Sequence, residues 1–281
     1  MYSIEQAEAY WLEAGNHGSP EERKQRAMKW LPFYSGMAER CIGKAFNVSD
    51  DVIRTIDYLA SQSIISSGDS LIDIGAGMGG YSLEFANRGL DVTALDVNTS
   101  CLKLIESRAA DCGIENITTV PLSWEDYTSE RQFDVVFSSM CPTICNLEEL
   151  KKAEAIAKKS VCILTVARGS YNKHRMRLME HFGVRGQGGM VTEVIHYYNA
   201  LYLLGRQPNV KCWTDQSTSI SDVNSTIKHF KNYFKLFGIE ENISVPYMES
   251  YFDGCAHDGI VEDETVMNRA LIFWNVPENK K

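Results

Sequence analysis

The chain has 281 residues, 44% of them hydrophobic, and 28 Lys+Arg against 37 Asp+Glu give a formal net charge of −9. This length and composition suit one large α/β domain with additions and an ordinary packed core, and the acidic balance argues against a broad nucleic-acid surface, where neutralised phosphates supply most of the affinity. No apolar run approaches the roughly 20 residues of a membrane span, and Met1-Tyr2-Ser3-Ile4-Glu5-Gln6 reads as an acidic helix start rather than a signal peptide. The eight scattered cysteines read as free thiols of a cytoplasmic protein rather than as a disulfide framework.

Ile4 to Leu12 carries apolar and aromatic residues at helical spacing. A turn at Gly15-Asn16-His17-Gly18-Ser19-Pro20 follows. Pro20 then opens a second helix, with Ser19 as its cap and Glu21-Glu22 in its first turn, running to about Trp30. Trp30-Leu31-Pro32-Phe33-Tyr34 is the most aromatic piece of the first third. Spacing alone does not separate pocket aromatics from residues that anchor the N-terminal helices on a core. Ser49-Asp50-Asp51-Val52 opens a third helix through about Ser63, and Ser67-Gly68-Asp69 makes a turn.

Leu71-Ile72-Asp73-Ile74 is a short apolar strand with one acid inside. It breaks into Gly75-Ala76-Gly77-Met78-Gly79-Gly80 and then into Tyr81–Asn87, whose spacing suits a helix ended by Gly89. Such a loop lets the backbone approach a ligand, and the helix start offers unpaired N–H groups. Asp91–Leu95 is a second strand, closed by Asp96. An acid at the tip of the second strand, about 20 residues past the glycines, is where a ribose hydroxyl pair is gripped in a βαβ nucleotide site. Gly75, Gly77 and Gly80 also satisfy the spacing of dinucleotide enzymes. Asp73 argues against that reading, because its carboxylate would repel a pyrophosphate and suits a ligand with an ammonium group.

Asp73-x-Gly75-x-Gly77-x-Gly79 followed by Asp96 resembles the first two motifs of the class I S-adenosylmethionine-dependent methyltransferases, over about Ser70 to Gly169. The resemblance implies an α/β, Rossmann-like seven-stranded mostly parallel sheet, with an N-terminal helical lid and a C-terminal helical insertion. It implies S-adenosylmethionine as cofactor and S-adenosylhomocysteine as product. Asp73, Gly75, Ala76, Gly77 and Gly79, with Tyr81, would surround the cofactor's amino acid and sugar. Asp96 and Val97 would lie at the ribose, Ser139 at the end of the fourth strand, and Tyr34 would come from the lid. Where the family often carries Gly-Asp beside the adenine, this chain has Leu122-Ser123-Trp124-Glu125-Asp126. Ser123 as hydrogen-bonding partner, Trp124 as stacking ring or as core filler, and Glu125 or Asp126 in the acid's place all remain open.

Ser100 to about Cys112 is a helix closed by Gly113, Ile117–Val120 a third strand, and Phe133–Phe137 a fourth. The loop Ser138–Cys145 after it should face the reacting methyl. It lacks the Asn/Asp-Pro-Pro-aromatic sequence of enzymes that methylate exocyclic amines of bases. Cys141 and Cys145, spaced i, i+4, either share a face toward a thiophilic atom or serve as small apolar fillers. The ligand density is too low to predict a metal, and Cys255-Ala256-His257 is equally sparse.

Leu147 to Lys159 reads as a helix and Val161–Ala167 as a buried fifth strand. Beyond it, Arg168 or Tyr171 would reach an anionic or hydroxylated substrate, or simply be solvated. Lys173-His174-Arg175-Met176-Arg177 is the polar face of a helix or, alternatively, a grip for a carboxylate or phosphate. Gly186-Gln187-Gly188-Gly189 is the most flexible-looking loop. Val191–Leu204 follows as an amphipathic helix bearing Tyr197, Tyr198, Tyr202 and His196, a histidine more readily structural than a base. Val210–Asp215 reads as a sixth strand, Ser221-Asp222 caps a helix from Val223 to Phe237, a polar stretch follows, and Arg269–Trp274 is the last strand. The expected organisation is a helical lid or cap over 1–65, a cofactor-binding core over 66–220, a helical insertion contributing to the cap over 221–265, and the last strand and tail over 266–281.

The function implied is methyl transfer to a small-molecule acceptor, with N, O and S nucleophiles open and Tyr171, His196 and Cys141 as catalytic candidates. A protein or RNA methyltransferase and a non-catalytic cofactor-binding module are the alternatives, and a nicotinamide oxidoreductase fits least. Monomer and homodimer are both open.

Overall fold

The computed structural model describes residues 3–15, 19–130, 132–184 and 192–277. In order they form α1 (Ile4–Gly15), α2 (Pro20–Glu39), α3 (Asp50–Ser61), β1 (Ser70–Ile74), α4 (Gly80–Asn87), β2 (Asp91–Leu95), α5 (Thr99–Cys112), β3 (Ile117–Val120) and β4 (Phe133–Ser139). There follow α6 (Leu147–Ala155), β5 (Ala157–Val166), β6 (Tyr171–Asn172), α7 (Lys173–His181), α8 (Val194–Leu203), β7 (Asn209–Asp222), α9 (Val223–Lys235), α10 (Glu241–Asp253) and β8 (Ile260–Asn275). The glycine-rich loop 186–189 and the turn residues 16–18 lie outside the described residues. No helix among the described residues is long and apolar enough to cross a membrane.

The chain divides into two compact units, one of Met1–Thr165, Met190–Lys211 and Ala270–Lys281, the other of Val166–Gly189 and Cys212–Arg269. In the first, β3-β2-β1-β4-β5 pair in that order and all in parallel. Helices cover both faces of such a sheet, so its central strands read as continuous apolar runs rather than alternating ones. Leu71, Ile72, Ile74, Val135, Val136 and Phe137 are accordingly fully buried. The end of β8 lies beside β5, where the Val276 N–H donates to the Lys159 carbonyl at 2.8 Å and Ser160 Oγ to Asn275 Oδ1 at 2.9 Å. One core cluster joins Trp11 of α1, Leu150 of α6 and Tyr197 and Leu201 of α8 to Ile72, Val136 and Ile163 of the sheet. Another joins Leu83 of α4 to Leu102 and Ile105 of α5.

α2 starts as its sequence dictates: Pro20 is its first residue, Ser19 Oγ accepts from the Glu22 N–H, and Glu22 Oε2 accepts from the Ser19 N–H, a capping box. The helix does not stop near Trp30. It continues through Pro32 to Glu39, because Ala38 is fully buried against Cys101 and Leu104 of α5 and this packing offsets the amide that Pro32 cannot donate. α6, expected to reach Lys159, ends at Ala155. The next carbonyl, Ile156 O, accepts from the Phe133 N–H, and Ala157 enters the ladder opposite Phe133.

In the second unit, β6 runs antiparallel to the first half of β8 with Tyr171 opposite Val266, and β7 also pairs with β8. Among the described residues the two-residue β6 raises the strand count to eight where seven were expected. Ile227, Phe230 and Phe234 of α9 sit at i, i+3, i+7 and pack against Leu178, Met248, Phe252 and Val261. Met248 and Phe252 belong to α10, a helix that the polar composition after Gly238 concealed. His174, inside the basic run of α7, is no surface residue. It is buried, with Nδ1 2.9 Å from Tyr251 Oη and Nε2 2.9 Å from the Glu262 carbonyl.

Phe234 is fully buried among these rings, so Phe234→Ala should destabilise the second unit by about 3–5 kcal/mol. Chemical denaturation would check this, and a loss below about 1 kcal/mol would show that the cluster is not a packed core.

Candidate functional site

β1 delivers the chain to a loop that is hooked onto the end of β2. The N–H groups of Gly75 and Ala76 both donate to the Leu95 carbonyl, at 2.8 and 3.1 Å. The Gly77 N–H donates to Asp96 Oδ2 at 2.8 Å, and the Gly79 N–H returns to the Ala76 carbonyl at 3.0 Å. Two positions admit only glycine. At Gly75 (φ +74°) a Cβ would lie 2.3 Å from Cys141 Sγ, and at Gly79 (φ +81°) 2.4 Å from Ile105 Cγ1. The loop is thus pressed between the turn after β4 and the face of α5.

Asp73 is buried beneath this loop at 2% exposure. Its Oδ2 accepts from Ser82 Oγ at 2.6 Å, while its Oδ1 is buried and makes no hydrogen bond among the described residues. Burial pushes the carboxyl up to about 7, the Asp96 charge adds to that, and the Ser82 hydroxyl opposes it. Burying a carboxylate is costly unless it is paired, and here the cost appears as the raised pKa. Asp96 accepts from the Gly77 N–H and, through Oδ1, from the Asn98 N–H at 2.7 Å. Its carboxyl is raised by burial, against the pull of the Asn98 and Gly77 N–H groups. Each oxygen keeps a lone pair for a hydroxyl.

The loops around these two acids are strapped by α2. Arg23 donates to Glu149 Oε1 of α6 at 3.1 Å, with both side chains largely buried, and Lys24 donates to Asp126 Oδ2 after β3 at 2.9 Å. Ser35 Oγ meets Asn98 Oδ1 at 3.1 Å, and Asn98 Nδ2 reaches the Leu31 carbonyl at 3.4 Å. Asn98 also caps α5, accepting from the Ser100 and Cys101 N–H groups. Between the two anchored ends, Trp30, Phe33 and Tyr34 form an aromatic cluster with ring centroids 5.5–6.0 Å apart, and Tyr34 is 40% exposed.

The remaining sequence candidates divide. Val97 is exposed beside Asp96. Ser139 ends β4 opposite Leu164. Tyr81 in the first turn of α4 packs 5.0 Å from the Phe137 ring, with its hydroxyl 3.5 Å from Thr55 Oγ1. Ser123 donates to Asp126 Oδ2 at 2.8 Å. Trp124 lies in the core cluster, with Lys152 Nζ 4.3 Å over its ring and Tyr127 stacked beside it. Cys141 abuts Gly75, its Sγ is 3.2 Å from Thr143 Oγ1, and burial raises its thiol to about 11. Cys145 is fully buried, and among the described residues no group of three His, Cys, Asp or Glu could hold a metal. His196 is buried beside Tyr10 and Trp11, with Nδ1 unbonded and its imidazole lowered by burial. Tyr171 belongs to the second unit, its hydroxyl donating to Glu264 Oε2 at 3.1 Å.

Sequence reasoning missed Ser82, Asn98, Ser35 and the Arg23–Glu149 pair. Asn98 had a legible signal, an N-cap residue just before a helical pattern. Ser35–Asn98 and Arg23–Glu149 are contacts between distant segments, and Ser82 meets Asp73 only once the glycine loop folds α4 back onto β1.

The parallel α/β sheet thus carries a glycine loop after β1, a buried acid beneath it with one unbonded oxygen among the described residues, and a second acid at the end of β2. Residues 71–160 match the family model described as a methyltransferase domain. Over nearly its whole length the chain is 26% identical to an uncharacterized protein of Haemophilus influenzae, covering 98% of each. It is 30% identical to ribosomal RNA small subunit methyltransferase G of Shewanella sp. over 141 residues, 47% of this chain and 66% of that protein. A solved structure of a putative methyltransferase from Bacillus halodurans superposes with a TM-score of 0.53 at 12% identity, covering 82% of this chain and 100% of that one, which is a likeness of fold. Residues 71–160 thus form a methyltransferase domain, on an α/β fold shared with that solved structure.

Asp73 is raised to about 7 in the free protein, and a role for it as partner of a cofactor ammonium predicts that cofactor affinity rises with pH from 6 to 8 as the carboxylate forms. The sign for stability is opposite. Its folded value lies above the unfolded ~3.9, so the free protein should lose stability as pH rises through 7. Asp73→Asn should flatten both trends, measured by titration calorimetry and thermal melts of both proteins across that range. A wild-type affinity that does not change with pH would contradict the role.

Proposed function

We propose that the enzyme methylates a small-molecule acceptor held under the α2 strap. The observation that carries this reading is the strap itself, tied at one end by the buried Arg23–Glu149 pair and at the other by Asn98. A helix fixed across the strand ends favours an enclosed pocket over an open groove for a polymer, and the net charge of −9 weighs the same way. The alternative of an RNA acceptor is favoured by the likeness to the Shewanella ribosomal RNA enzyme.

The bound cofactor supplies an electrophilic methyl group on a sulfonium. The chain's part is to hold the acceptor in line and to exclude water. Asp73, with Ser82 orienting its carboxyl, binds and orients at one end, and Asp96 receives hydroxyls at the other. Neutral groups line the turn after β4. The Cys141 thiol stays protonated at neutral pH. The Tyr197 phenol, donating to the Ile144 carbonyl at 2.5 Å, is raised by burial. In this reading Cys141 is a wall rather than a base or nucleophile.

Incubating the enzyme with methyl-labelled cofactor and either the low-molecular-weight fraction of a cell extract or total RNA tests the acceptor class. Label in the small-molecule fraction is expected, and label in RNA alone would replace this reading with the alternative. Cys141→Ala should keep turnover within about threefold, whereas a loss of about 100-fold or more would mark the thiol as a working acid–base group.

A further inference from the structure

One face of α5, made of Cys101, Leu104, Ile105 and Arg108 at helical spacing, backs the glycine loop from behind. Ile105 fills the space that a side chain on Gly79 would need. Cys101 and Leu104 pack with Met78 of the loop and with Ala38 and Cys41 at the end of α2. Arg108 Nη1 donates to the Met78 carbonyl at 3.0 Å, and its guanidinium carbon stands 4.8 Å over the ring of Phe46. Phe46 itself packs with Ala76 of the loop onto the Leu83–Ile105 cluster. The peptide between Met78 and Gly79 is therefore gripped at both ends, its carbonyl by Arg108 and its N–H by the Ala76 carbonyl. Arg108 Nε is buried and unbonded, so among the described residues the guanidinium is held by this one carbonyl and by the aromatic face rather than by a carboxylate.

We propose that Arg108 and Phe46 are a positioning pair that holds the glycine loop in its cofactor-receiving shape and ties it to the segment joining α2 to α3, so that strap and loop order together. Both act on the loop through the Met78–Gly79 peptide and the packing around Ala76. A planar guanidinium suits this place, because it donates to a carbonyl in its own plane while lying flat on a ring, which an ammonium cannot do. The residue also links elements far apart in the chain. Phe46 follows the strap, Met78 lies in the loop, and Arg108 is on the helix that Asn98 caps. A cofactor that orders the loop then orders the strap through the same contacts.

The test uses S-adenosylhomocysteine as probe, without any acceptor, so it is independent of the acceptor's identity. Calorimetry should show Arg108→Ala weakening binding about tenfold, the loss expected when a charge-assisted hydrogen bond holding the site is removed. Arg108→Lys should recover part of that loss, and Phe46→Leu, which keeps the apolar packing and removes only the aromatic face, should weaken binding about threefold. Hydrogen exchange over residues 38–46 should slow on binding in the wild type and slow less in Arg108→Ala. Ser35→Ala, which removes one of the two hydrogen bonds between the strap and Asn98, should weaken binding less in the Arg108→Ala background than in the wild type. Wild-type-like affinity in both Arg108 variants, or effects of Ser35→Ala and Arg108→Ala that simply multiply, would overturn the proposal. Absence of binding by the wild type would instead sink the cofactor assignment on which the pair depends.

Discussion

The carboxylate of Asp96 holds the architecture of this site together. One oxygen takes the Gly77 N–H and the other the Asn98 N–H, so a single side chain closes the glycine loop against the end of β2 and fixes the residue that caps α5. Asn98 in turn holds α2 through Leu31 and Ser35. The loop, the helix and the strap are thus organised around one acid whose burial is offset by two backbone donors. Asp73 is the converse case. Among the described residues its one donor is Ser82 and its second oxygen is unbonded, and its carboxyl sits near 7 rather than in the ordinary range. The contrast is between a carboxylate with a backbone donor on each oxygen and one left half satisfied.

Much of this was legible because the signals are local. A strand with an interior acid, glycines, a helix start and an acid at the next strand's end follow one another within about 25 residues, a spacing characteristic of a βαβ nucleotide site. Each strand of the parallel sheet is apolar enough to be recognised without its neighbours. The capping box of α2 and the caps of α5 and α9 are equally self-contained. What the sequence concealed depends on tertiary contact. Pro32 reads as a stop, and only the burial of Ala38 against α5 explains why the helix ignores it. α10 carries Pro246 within it and begins with polar residues, so its pattern is visible only once Met248 and Phe252 have α9 to pack against.

The same reasoning accounts for residues whose roles the sequence left open. Trp124 offers the same chemistry whether it stacks on a ligand or fills a core. Its surroundings, with Lys152 over the ring and Tyr127 beside it, are those of an interior tryptophan. His196 is neither exposed nor satisfied: it lies between aromatic rings with one nitrogen unbonded, and its imidazole is lowered by burial and stays neutral. A buried, neutral ring of this kind contributes packing to the α1–α8 contact without bringing a charge into it.

Neutrality recurs where the turn after β4 meets the loop. Cys141 presses on Gly75 with a protonated thiol, and Tyr197 spends its hydroxyl on the Ile144 carbonyl. The ionisable acids sit instead on the strand and loop side, at Asp73 and Asp96. A methyl donor of the sulfonium type needs no metal or base to make it electrophilic, so the gain available to the protein is position and exclusion of water. Such a division suits that chemistry, in which position and the exclusion of water are what a protein has to add. The tightness of that wall follows from the sequence in one place, since a glycine at 75 is what allows the turn after β4 to come into contact with the loop at all.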